Sequence, residues 1–232
     1  MIERTVGSVT VLGPVRGLVS EATSVRSRLE ANRPAALGIA ISTDEMDGVR
    51  EYFVGAPTEP VVPLAPTEAA EIRGLARYGE VSVPNPSVLT ALRWADAASV
   101  PVSALDPDDD QYATWFAGSI GYFELVRRTL RERRLGKRPP EAPTADAFAL
   151  AWSDTIDHGS GSRRLRARRD EAVVEGVAKL RARYPSVGVV VDRERFDGVV
   201  ELLGGESFPV RTSGTVGAGG EPLSLERLPE GR

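Results

Sequence analysis

The sequence has no cysteine and a single histidine, His158, in 232 residues. A catalytic thiol is therefore excluded, a Ser-His-Asp triad has only His158 to draw on, and a zinc site of the usual His/Cys type cannot be assembled within one chain. No disulfide framework is available, so the fold must hold by packing alone. No apolar run approaches the ~18 residues of a transmembrane helix. The start, Met1-Ile2-Glu3-Arg4, has no apolar secretory core and runs directly into a strand pattern. A formal charge of −4 gives no overall attraction to nucleic acid. These absences lead to the expectation of a cytoplasmic protein without membrane insertion. No cofactor motif is present either: the glycine run Gly214 to Gly220 follows no strand pattern and precedes no helix, so it is not a phosphate loop.

What is present is an alternation of short apolar runs with helical patterns. Val9 to Leu12, Ala36 to Ile41, Val100 to Leu105 and Val187 to Val191 read as buried strands. Between them lie helices expected at Ser20 to Asn32 (with Ser20 as cap), near Met46 to Phe53 (started by Thr43 with Asp44 and Glu45), Thr67 to Tyr78 and, behind the Asn85-Pro86 cap, to Ala98. One long helix is expected over 109–135, then helices at 144–157, 162–184 and 196–203. The proline-rich stretch 55–66 reads as a surface loop and 205–232 as a disordered tail. The pattern predicts an α/β fold: a central, mostly parallel sheet of at least four strands with helices on both faces, spanning residues 1–204.

Ligands of such sheets gather at the carboxyl ends of the strands. Four segments fall there: Gly13 to Arg16, Ser42 to Glu45, Asp106 to Asp110 and Asp192 to Arg195. In order and spacing they resemble the TraB family, within the larger group that holds Tiki-type proteases, erythromycin esterases and ChaN-like proteins. That family has a first strand ending in Gly-x-x-His, where this chain has Gly13-Pro14-Val15-Arg16. An Arg-Pro pair precedes its second strand, as Arg33-Pro34 does here, and a central strand ends in Asp-Arg-Asp, near Asp106-Pro107-Asp108. A second Gly-x-x-His strand near the end corresponds to Val189 to Arg195.

The departures matter most. By this register both family histidines are arginines, Arg16 and Arg195, and two family glutamates are Ala40 and Arg168. Members with intact motifs look like metal-dependent hydrolases or peptidases. A guanidinium stays protonated and cannot replace a metal-binding imidazole. The resemblance therefore implies a degenerate member without catalytic or metal residues, acting by binding a small anionic ligand or a protein partner, a second copy included. The ligand-binding candidates are Gly13, Arg16, Asp106, Asp192 and Arg195. The alternative is a divalent-metal hydrolase built on carboxylates around Asp106.

Bland readings stand beside these. Arg16 and Arg195 either form a cationic pocket or pair with acids such as Asp192 and Asp106 and close the old site. Asp108 to Asp110 suit a helix start as well as oxygen-only metal ligation. The basic runs 127–138 and 163–169 suit a solvated face or an oligomer contact better than nucleic acid, acidic lipid or an acidic partner. Trp115, Phe116, Ile120 and Phe123 have the spacing of a core face. His158, beside glycines, is expected exposed and unliganded.

Overall fold

A computed structural model describes residues 1–54 and 66–205. The loop expected over 55–66 lies outside these residues except for Pro66, and the expected tail except for Gly205; both belong to helices. Among the described residues the order is β1 (Ile2–Val6), β2 (Val9–Gly13), α1 (Val19–Asn32), β3 (Ala36–Ile39), α2 (Thr43–Val54), α3 (Pro66–Leu75), α4 (Pro86–Ala98) and β4 (Val102–Ala104). Then follow α5 (Asp109–Ser119), α6 (Tyr122–Lys137), α7 (Ala145–Ile156), α8 (Ser160–Arg181), β5 (Val187–Val190) and α9 (Arg193–Gly205). The strands form one sheet in the order β1-β2-β5-β3-β4. All pairings are parallel except β1 with β2. The fold is α/β, as the alternation of patterns predicts.

Strand β1, which pairs antiparallel with β2 in a hairpin, is an addition to the expected strands. The hairpin turns at Gly7-Ser8, where Gly7 takes φ 59°, a left-handed conformation that a tight hairpin needs and glycine supplies without strain. In the middle of the sheet, β3 and β5 are buried at every residue because helices cover both faces. Alternate strand residues feed two cores. Val9, Val11, Val187 and Val189 pack with Val173 and Val177 of α8 and Phe196 and Val199 of α9. Leu12, Leu37, Ile39 and Val190 pack instead with Val25 and Leu29 of α1 and Val88 and Leu92 of α4. A third cluster, centred on Phe148 and Trp152 of α7, joins α3 and the end of α6 to the loop after β2.

Several helix boundaries follow their caps. Asn85 accepts from the Ser87 amide at 3.1 Å with Pro86 in the first turn, and Asp108 accepts from the Gln111 amide at 2.7 Å. The Asp108 cap supports the helix-start reading of that acidic run. Two expectations are corrected. Ser20 lies inside α1, whose N-cap is Leu18 with no side-chain cap. The long helix expected over 109–135 is two helices, α5 and α6, broken at Ile120-Gly121, both extended. Gly118, Ser119 and Gly121 all favour helix weakly, so the chain breaks where propensity is lowest. The break also dissolves the expected core stripe: α5 buries no residue, Ile120 is buried at the junction, and Phe123 stands 79% exposed.

Candidate functional site

The parallel strands β2, β5, β3 and β4 all end on one side of the molecule. Arg16 follows β2, Ala40 follows β3, Asp106 follows β4, and Asp192 separates β5 from α9. Backbone hydrogen bonds lock these ends together: the Val191 amide donates to Leu12, Ala40 to Val190, Leu105 to Ile39 and Arg193 to Pro14. The side chains just beyond the strands are therefore set by the sheet.

Helix α9 begins directly at Arg193, so Arg195 lies in its first turn rather than in a loop. There it is 5% exposed. Its Nη1 donates to both oxygens of Asp106, at 2.7 and 2.8 Å, and its Nε to Asp170 of α8 at 2.8 Å. Arg169, also on α8, donates to the same Asp106 carboxylate. Burial opposes the charge on Arg195, but Asp106 and Asp170 outweigh it and raise its pKa. Burial pushes the Asp170 carboxyl up, against the pull of Arg195. Two donors of this network, Arg195 Nη2 and Arg169 Nε, are buried with no acceptor among the described residues. Unpaired buried guanidinium donors are costly and call for an oxygen, from water or from a ligand.

Beside this network lies a cleft of about 230 Å³, with Arg16, Glu71, Arg166, Arg169, Glu194 and Arg195 in its walls. Arg16 is exposed in it, and no hydrogen bond or ion pair within 4 Å ties its guanidinium to the described residues. Its field neighbours are acidic: Asp192 foremost, then Glu45, Glu71 and Glu194, which together keep it firmly charged. Burial pushes Glu194 up to about 7, with Asp192 adding to the rise. Burial likewise raises Asp192, against the pull of Arg16 and Arg195, and partial desolvation raises Glu71. Near neutral pH the cleft can therefore shed negative charge by protonating Glu194, leaving its guanidiniums to dominate. A wider groove, about 670 Å³, is lined by Ser103 to Asp106 and by Arg168 and Glu171, and does not include Arg16 or Arg195.

The sequence candidates divide accordingly. Arg16 and Arg195 share the cleft, and Asp192 couples electrostatically to both. Asp106 is the anchor beneath them. Gly13 does not line the cleft: it is buried under Phe196 and Ile2, and a Cβ there would lie 2.6 Å from the Phe196 ring. It serves close packing of α9 on the sheet. Arg168 is exposed and stacks over Trp115 at 4.6 Å. His158 is exposed.

Glu71 and Arg166 were not legible as site residues, because α3 and α8 reach the strand ends only through tertiary packing. Arg166 is held by Asp157 at 3.0 Å and by the Ser153 hydroxyl. Asp170 lies two residues beyond Arg168, a position singled out by the family resemblance, and that proximity was the available signal. Among the described residues, no three carboxylate or imidazole groups converge as a metal ion would require. Neither a family model nor a curated protein matches this chain.

Proposed function

We propose that the protein is a TraB-like chain that binds a small anionic ligand at the strand-end cleft and carries no hydrolase chemistry there. The observation that carries this is the contrast between the two arginines. Arg195 is consumed by Asp106 and Asp170, whereas Arg16 is exposed in the same cleft without a direct partner among the described residues. A guanidinium with no direct partner among the described residues, in a cleft whose walls also hold Arg166, Arg169 and Arg195, suits a carboxylate, sulfate or phosphate group, which accepts two hydrogen bonds in one plane. The volume, below the roughly 300–1,000 Å³ of drug-sized pockets, restricts the ligand to a small molecule or one end of a larger one.

The resemblance is supported by element order: the positions matched to the family's histidines, together with Ala40 and Asp106, come to one end of one sheet. The metal-hydrolase alternative finds less support, since both Asp106 oxygens are already bound by Arg195. Equilibrium dialysis with labelled sulfate tests the proposal. Saturable binding that is displaced by small carboxylates or phosphates supports it; absence of saturable binding argues against it.

A further inference from the structure

We infer that the exposed face of α6 lies on an anionic membrane surface. Tyr122, Val126 and Leu130 follow one another at four-residue spacing, which places them in line on one side of the helix, with Phe123 beside them. They are 75%, 42%, 50% and 79% exposed, respectively. Leaving four large apolar side chains in water on one helix face is unfavourable unless something covers it. Further along the helix Arg133, Arg134 and Lys137 are exposed as well, and Arg127 flanks the apolar line.

Charge decides what the cover is. Arg127 and Arg134 have no acidic partner within 4 Å among the described residues. They border a groove of about 570 Å³ with Arg131 and Leu130. The acid nearest this groove, Glu124, is committed elsewhere: its carboxylate accepts from the Gly161 and Ser162 amides at 3.0 and 2.8 Å and so caps α8. Glu132 is likewise taken by Arg128 at 3.0 Å. The face is thus cationic and apolar together. A second copy packed on it about a two-fold axis would set arginine against arginine. Nucleic acid would satisfy the arginines but gains nothing from Val126 and Leu130. An anionic lipid surface takes both, with headgroup phosphates at the guanidiniums and acyl chains under Phe123 and Leu130, as in helices that lie in the interface plane. No helix among the described residues is long and apolar enough to cross a membrane, so the contact is peripheral.

The test is co-sedimentation of the full chain with vesicles of pure phosphatidylcholine and of phosphatidylcholine with phosphatidylglycerol. Binding is expected only to the anionic vesicles, weakening with salt. It should fall by about tenfold or more in Phe123→Glu and in Arg127→Glu/Arg134→Glu, with circular dichroism of both variants unchanged. Equal binding to neutral vesicles, no binding to either, or binding indifferent to these variants overturns the inference. So does a dimer in analytical ultracentrifugation that Phe123→Glu dissociates, or oligonucleotide binding lost with the arginines while vesicles are ignored.

Discussion

Arg195 grips both oxygens of Asp106 at 2.7 and 2.8 Å, so the carboxylate that closes β4 and the guanidinium that opens α9 form one buried unit. Each side chain is about 5% exposed. The pair joins an edge strand to a helix that follows the central strand β5, and Asp170 extends the link to α8.

Removing one partner leaves the other charged and desolvated. Asp106→Ala is predicted to lower unfolding stability by about 3–5 kcal/mol, the range for breaking a buried ion pair. Arg195→Ala is predicted to do the same, because it strands two acids. Urea denaturation followed by circular dichroism checks both. A loss below about 1 kcal/mol for each would show that the unit is solvated and not structural.

Glu194 sets a pH dependence. Its folded pKa of about 7 lies above the ordinary value of 4.5, so between these values the native state binds more protons than the unfolded chain. Stability is then highest below the unfolded pKa and falls as pH rises through 7, by about 2–3 kcal/mol between pH 5 and pH 8. Glu194→Gln should flatten this slope and make the protein more stable than wild type at pH 8. Urea titrations at the two pH values measure it; an unchanged slope in the variant would assign the effect elsewhere.

Gly13→Ala separates packing from ligand contact. The added Cβ would meet Phe196 and Ile2 at 2.6 and 2.9 Å, so a stability loss of about 1–3 kcal/mol is expected from overpacking. Sulfate affinity, measured on the folded variant, should stay within twofold of wild type. A stable variant that no longer binds sulfate would restore Gly13 to the site.

The sheet was legible because β3 and β5 are continuous apolar runs and because Asn85-Pro86 and Asp108 announce helix starts with local chemistry. What was hidden depended on distance. The break at Ile120-Gly121 lay in weak propensities beneath a persuasive aromatic pattern, and that pattern turned outward once the helix was cut. The strand ends supplied Arg16, Asp106, Asp192 and Arg195 by position alone. Which arginine would be paired, and which left exposed, depended on Asp170 and Arg169 of α8 reaching the same place, and no local pattern encodes that. Nor does spacing reveal that Glu71 of α3 would enter the cleft.

Calorimetric titration of sulfate into wild type and Arg16→Met, at pH 6 and pH 8, tests the account most directly, since sulfate keeps its charge across that interval. One saturable site is predicted in wild type, tighter at pH 6, where Glu194 is protonated and the field around Arg16 is less negative. Arg16→Met should bind about tenfold to a hundredfold more weakly, the loss expected for one charge-assisted contact. Equal affinity in Arg16→Met, or no saturable site in wild type at either pH, would contradict an anion-binding cleft at the strand ends.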